Sequence, residues 1–174
     1  MKRIIVATDG SDGGHAAVAE GASLAQALGA AITIVHVRPP IAFLGEPLYQ
    51  RRLSNQLERA RQAVDDALAQ LEREGLEADY EILEGDAPDE IVRIAEARDA
   101  DLIVIGSRGL GPVPGALLGS VSSAVVRHAD CPVVVVKSKR LLCRPRRLAG
   151  GQAHAARTPP PPRPRRGRSS SRVR

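Results

Sequence analysis

Short runs of apolar residues alternate along the chain with longer segments in which apolar residues recur every three or four positions. Short apolar runs bounded by Gly, Pro or Asp are typical of buried strands, and the longer spacing is typical of amphipathic helices. The runs predict five strands, at residues 3–8, 31–37, 78–83, 102–105 and 133–136. The segments between them predict helices at residues 14–28, 51–74 and 120–128, and one more that begins after Asp86.

Strict alternation of strands and helices predicts an α/β fold: a doubly wound, five-stranded parallel sheet with helices on both faces. Sheets of this kind bind ligands beyond the carboxyl ends of their strands, where the strand order reverses. Asp9, Val37 and Gly106 all lie where a predicted strand ends. We therefore expect these three residues to line one cleft.

The pattern collapses from Lys139 onward, where prolines alternate with arginines and no apolar periodicity remains. Residues 1–138 contain all 20 acidic residues and 13 of the 25 Lys and Arg, so their net charge is 13 − 20 = −7. Residues 139–174 contain the other 12 Lys and Arg and no acidic residue, so their net charge is +12. We expect one domain at 1–138 and a disordered basic tail at 139–174. Three other interpretations stay open: an arm that binds nucleic acid, a tail that associates with the acidic domain, and translation in an altered frame.

Composition narrows the class of protein further. Aromatic residues make up only 2% of the chain, which disfavours a surface that stacks single-stranded bases. The two cysteines, Cys131 and Cys143, form no metal or redox motif. The apolar run at the start stops at Thr8, short of a signal peptide, and no run reaches membrane-spanning length. The expected location is the cytoplasm.

A glycine-rich segment follows the fourth predicted strand and leads into the last predicted helix. Its fixed points are Gly106, Gly109, Gly119 and Ser120, in the pattern G-x-x-G-x9-G-S. Glycines let a ligand approach the backbone, and the amides of a helix N-terminus favour an anion, so the segment predicts a phosphate site. It is not a Walker A loop, because that motif needs a Lys beside its final Ser or Thr, whereas Gly119 and Ser120 are followed by Val121. It also lacks the G-x-G-x-x-G dinucleotide fingerprint.

At this point the sequence resembles the universal stress protein family, in its ATP-binding subgroup. The resemblance covers residues 1–138 and is carried by Arg3–Ser11, Ile34–Val37, Gly85–Pro88, Asp101–Gly109, Gly119–Arg127 and Pro132–Lys137. It implies an adenine nucleotide alpha hydrolase-like, Rossmann-like fold. It also implies ATP as ligand, Mg²⁺ as an accompanying metal, and a homodimer formed through the strand Val133–Lys137.

The resemblance also implies ten nucleotide-binding residues. They are Thr8, Asp9, Val37, Gly106, Arg108, Gly109, Gly119, Ser120, Val121 and Ser122. Asp9 would contact the ribose or hold the metal, Val37 would offer main-chain groups to adenine, and Arg108 would pair with a phosphate. Gly106 and Gly109 would admit the triphosphate. The turn from Ser120 to Ser122 would donate backbone amides and hydroxyls.

Each of these residues also has a purely structural interpretation. Asp9 could cap the first helix, Ser120 could cap the last, Val37 could simply end a strand, and Arg108 could be a solvated loop residue. If the glycines hold phosphates, a Gly106→Val, Gly119→Val double variant is expected to abolish binding and leave the sheet folded.

Three functional hypotheses follow. The first is an ATP-binding sensor or binding module of the stress response, with at most slow hydrolysis, because no nucleophile–base constellation is readable. The second is a nucleotide-free dimeric interaction protein on the same fold. The third is a weak ATPase or nucleotidyl-transferring enzyme.

Overall fold

The fold is given by a computed structural model, which describes residues 2–43, 45–109 and 118–138. The predicted tail at 139–174 and residues 110–117 of the glycine-rich segment lie outside the described residues. The strands are β1 (Arg3–Ala7), β2 (Ala31–Arg38), β3 (Ala78–Glu84), β4 (Leu102–Gly106) and β5 (Val133–Val136). The helices are α1 (Asp12–Leu28), α2 (Glu46–Arg73), α3 (Ala87–Ala97) and α4 (Ser120–His128).

The described strands form one sheet in the order β3-β2-β1-β4-β5, and every neighbouring pair is parallel. β1 pairs with β2 on one side and with β4 on the other. The direction of strand succession therefore reverses at β1, and the carboxyl ends of β1 and β4 form the switch point. The predicted parallel α/β architecture is confirmed.

Alternate residues of β1 supply the two layers of the core. Ile4 and Val6 face a layer built with α1 and α2, whereas Ile5 and Ala7 face a layer built with α3 and α4. All four side chains are at most 5% exposed. Because the sheet is buried on both faces, its central strands read as continuous apolar runs in the sequence.

Helix α2 begins at Glu46, five residues before the start that periodicity predicts. Pro47 stands in its first turn, where the missing backbone N–H costs nothing. The first buried residue of α2 is Ala60, so its first half covers little of the core. Where a helix does not touch the core, its sequence needs no apolar stripe. The start of α2 therefore could not be predicted from apolar periodicity.

The start of α1 shows what Asp9 does in the fold. The N-cap of α1 is Ser11, whose hydroxyl oxygen accepts a hydrogen bond from the amide of Gly14 at 3.2 Å. Asp9 Oδ1 accepts from the Ser11 amide at 3.0 Å and also from the Ser11 hydroxyl. The structural interpretation, in which Asp9 caps α1, is therefore wrong in detail. Ser11 is the cap, and Asp9 orients Ser11.

Strand β5 lies at an edge of the described sheet and pairs there with β4 alone. Its four residues, Val133–Val136, are all partly exposed in the single chain. An apolar edge of this kind exposes unpaired backbone groups and calls for a partner or a cover. No helix among the described residues is long and apolar enough to cross a membrane.

Candidate nucleotide-binding site

A cavity of about 230 Å³ opens at the switch point, between the carboxyl ends of β1, β2 and β4 and the first turns of α3 and α4. We call it the switch-point cavity. All ten residues singled out in the sequence line it: Thr8, Asp9, Val37, Gly106, Arg108, Gly109, Gly119, Ser120, Val121 and Ser122. They come together because parallel strands end at the same edge of a sheet, although the chain separates them by up to 114 positions.

Part of the wall of the switch-point cavity is apolar. It includes Val35 and Val37 of β2, Ile105 of β4, and Ala87 and Ile91 of α3. Of these five, only Val37 was expected from the sequence as a site residue. Val35 could have been predicted from Val37, because residues two apart in a strand point to the same side of the sheet. Such a surface suits a flat, apolar ring.

The wall of the cavity also offers groups that favour an anion. Gly119 is the N-cap of α4 and has no side chain with which to cap it. The amides of Ser120, Val121 and Ser122 belong to the first turn, whose N–H groups have no partner within a helix. Arg108 also lines the cavity, is exposed, and makes no hydrogen bond or ion pair with any described residue. This part of the wall therefore presents unpaired donors and positive charge.

The glycines of the segment have different reasons to be glycine. A Cβ atom on Gly106 would lie 2.6 Å from the backbone of Gly13, and one on Gly109 would lie 2.3 Å from Asp9 Oδ2. At Gly106 the obstacle is backbone, so the fold requires a glycine, whereas at Gly109 the obstacle is the end of a side chain that can move. A Cβ on Gly119 would meet its nearest neighbour, the carbonyl oxygen of Ser107, at an ordinary 3.5 Å. Of these three glycines, Gly119 is the one at which the described residues leave room for a Cβ atom.

The hydroxyl of Ser122 is engaged within the protein. Its side chain is buried, with 2% of the residue exposed, and Oγ lies 3.2 Å from the carbonyl oxygens of both Ser107 and Gly119. The Ser107 oxygen also accepts from the Gly119 amide at 2.7 Å, and the Ser107 amide donates to Val136 of β5. Ser122 therefore fastens the first turn of α4 to the ends of β4 and β5, which leaves its backbone amide as the group available to a ligand.

The variant Ser122→Ala tests this positioning role. In ligand-free protein, the amides of Gly119 and Ser123 are expected to exchange with solvent about three- to tenfold faster than in the native protein. The reason is that the turn loses the hydrogen bond of the Ser122 hydroxyl, which stabilises it by about 1 kcal/mol. Hydrogen exchange read by NMR measures the effect. Ser120→Ala is the matched control, since Ser120 is exposed and its hydroxyl makes no hydrogen bond with a described residue. Unchanged exchange in Ser122→Ala would contradict the role.

His36 does not line the cavity but bonds to a residue that does. Its Nδ1 donates to the carbonyl oxygen of Thr8 at 3.0 Å, which joins β2 to the end of β1. Burial lowers the pKa of His36 below its ordinary 6.5, and this outweighs the opposing effects of the Thr8 hydrogen bond and the negative charge of Asp9. The ring is therefore neutral near pH 7, which suits a structural tie.

Comparison with known proteins decides the family. The model of the universal stress protein family matches residues 1–137. The chain belongs to the universal stress protein family. A universal stress protein of Thermus aquaticus is 41% identical over 140 residues, which cover 79% of this chain and 99% of that one. The resemblance carried by the glycine segment and the strand ends is confirmed.

Solved structures agree with the observed fold. A universal stress protein from Lactobacillus plantarum superposes with a TM-score of 0.71 at 28% identity, covering 78% of this chain and 97% of that one. One from Archaeoglobus fulgidus in complex with dAMP gives a TM-score of 0.63 at 27% identity, with 79% and 98% covered. A third, in complex with cAMP, gives 0.63 at 26% identity, with 79% and 97% covered. Proteins similar to this chain thus bind adenine nucleotides.

Proposed function

We propose that this chain binds ATP in the switch-point cavity and serves as a nucleotide-dependent sensor or binding module of the stress response. The observation that carries the proposal is that one cavity combines apolar wall residues with the unpaired backbone donors of the first turn of α4. A nucleotide combines a flat base with charged phosphates, so it matches both kinds of wall. The complexes of similar proteins with dAMP and cAMP support an adenine base.

The proposed pose follows from the cavity walls. The base lies between Val35, Val37 and Ile91, and the phosphates lie against Gly119 and the first turn of α4. Arg108, which has no described partner, pairs with the phosphates, because a guanidinium offers a planar fork of donors. Gly106 lines the cavity, as expected of a glycine that admits the triphosphate, and the close approach of Gly13 gives a second reason for a glycine at this position.

The residues present fit Mg²⁺ only as a companion of the phosphates. The described residues contain no group of three or more His, Cys, Asp or Glu side chains placed to hold a metal ion. Mg²⁺ is commonly bound by one or two carboxylates together with substrate phosphates. Asp9, which lines the cavity, is the carboxylate that would complete such a site, and the metal would neutralise phosphate charge there.

Hydrolysis in this proposal is slow at most. Of the described residues that line the cavity, Asp9 and Arg108 are the ionisable ones. Asp9 already accepts two hydrogen bonds from Ser11 at Oδ1, so its orientation serves the turn before α1. General-base catalysis needs a group placed on the proton that it removes, and the proposal assigns none.

The proposal includes a homodimer formed by β5. Its partly exposed valines and its open edge favour pairing with a second copy. The same observation favours the second candidate function, a nucleotide-free dimeric interaction protein. The two candidates differ in whether the switch-point cavity takes up ATP.

Isothermal titration calorimetry of the full chain with ATP and Mg²⁺ decides between them. We expect saturable binding of about one ATP per chain at submillimolar concentration, since typical cofactor pockets are occupied in that range. Inorganic tripolyphosphate is the control for attraction to the basic tail, and we expect it to bind at least about tenfold more weakly because it lacks the base. The absence of saturable ATP binding would favour the nucleotide-free dimer.

A further inference from the structure

A second cavity adjoins the first on its outer side. We call it the outer cavity. It encloses about 470 Å³ and is lined by Val37, Pro39, Gly85, Asp86, Ala87, Pro88, Ser120, Val121, Ala124 and Arg127. Val37, Ala87, Ser120 and Val121 line both cavities, so these four residues form the boundary between them. A base that rests on Val37 therefore lies at the edge of the outer cavity.

Asp86 is an exposed residue that lines the outer cavity, where its chain neighbour Ala87 belongs to the boundary. It is the N-cap of α3, yet its side chain makes no capping hydrogen bond. An N-cap carboxylate ordinarily accepts from the amides of the second or third helical residue. Pro88 is the second residue of α3 and has no amide to donate, so one of the two usual partners is missing. The carboxylate makes no hydrogen bond or ion pair with a described residue, and its chain neighbour Ala87 is a wall of both cavities.

We propose that Asp86 is a specificity-determining residue that accepts a hydrogen bond from the exocyclic 6-amino group of the bound adenine. A carboxylate only accepts hydrogen bonds, and the 6-amino group only donates them, so the two are complementary. Arg127, the other charged residue of the outer cavity, supplies a donor on the side of α4. This inference rests on the proposed function and names the group by which the site selects its base.

The test compares ATP with purine riboside 5′-triphosphate, which is ATP without the 6-amino group. Each ligand is titrated calorimetrically into the full chain, into Asp86→Ala and into Asp89→Ala. Asp89 is a matched control, because it is an acidic residue in the same first turn, is exposed, and lines neither cavity. Both variants remove one negative charge from the start of α3, so the ratio of the two affinities in each variant cancels the effect of that charge on the phosphates.

The native protein and Asp89→Ala are expected to bind ATP about tenfold more tightly than the analogue, as one charge-assisted hydrogen bond would give. Asp86→Ala is expected to bind the two ligands within about twofold of each other. A preference that survives in Asp86→Ala, or that is absent from the native protein, would overturn the inference and leave ATP binding intact. A native protein that binds neither ligand would overturn the proposed function and the inference together.

Discussion

The variant Gly119→Val is expected to lose ATP affinity by about a hundredfold or more and to remain folded, at a cost in stability of about 1 kcal/mol because valine is a poorer N-cap than glycine. The backbone at Gly119 has φ −73° and ψ 168°, which any residue can adopt, and a Cβ there would meet its nearest neighbours at 3.5 Å, 3.7 Å and 3.8 Å. The fold therefore accepts a side chain at this position. The added methyl groups would narrow the space between Arg108 and the first turn of α4, where the phosphates are proposed to lie.

Calorimetry gives the affinity of Gly119→Val, and thermal unfolding in the absence of ligand gives its stability. Gly119→Ala, with one added carbon atom, is expected to lie between the native protein and the valine variant, at a loss of about tenfold. Ser120→Ala removes a hydroxyl from the same turn without adding bulk, and we expect it to bind ATP within about threefold of native. Native-like ATP binding by Gly119→Val would place the phosphates elsewhere.

The variant Gly106→Ala is expected to show the opposite behaviour, with a large loss of stability. Its Cβ would lie 2.6 Å from the carbonyl carbon and oxygen of Gly13, and both of these are backbone atoms in the first turn of α1. Backbone atoms cannot swing away as the end of a flexible side chain can, so α1 or the end of β4 must shift. Overpacking of this kind costs about 1–3 kcal/mol and occasionally more.

Urea unfolding of Gly106→Ala and Gly119→Ala measures the difference directly. The two variants add the same methyl group to glycines of one segment, so each serves as the control for the other. We expect Gly106→Ala to unfold at a clearly lower urea concentration and Gly119→Ala to stay within about 0.5 kcal/mol of native. Equal stability of the two would mean that Gly13 does not restrict Gly106. The same overlap with Gly13 argues against the expectation that a Gly106→Val, Gly119→Val double variant leaves the sheet folded.

The predicted elements agree with the structure wherever burial shapes the sequence. The bounds of α4 and β5, Ser120–His128 and Val133–Val136, are those that periodicity predicts. The prediction fails at the start of α2, where residues 46–59 include no buried position. Apolar periodicity arises where a helix contacts the core. A helical turn that makes no such contact therefore cannot be predicted from it.

The same distinction holds for the candidate site. The sequence places Asp9, Val37 and the glycine segment at strand ends, and parallel strands bring those ends to one edge. The sequence cannot tell which atoms then approach each other. Two contacts of this kind depend on elements far apart in the chain: Ser122 donates to Ser107, and Asp86 lines the outer cavity without a capping hydrogen bond.

By itself, the sequence determined the alternation of strands and helices and, through its resemblance to the universal stress protein family, the ten residues that line the switch-point cavity. The alternation follows from local patterns, because burial on both faces of a sheet and glycine at turns constrain each position one at a time. Only the tertiary structure decided the separate roles of the glycines. Gly106 is a glycine because α1 packs against it, whereas a Cβ atom on Gly119 would have room in the fold. Which segments approach each glycine depends on the packing of elements that are far apart in the chain, and the chain order does not reveal it.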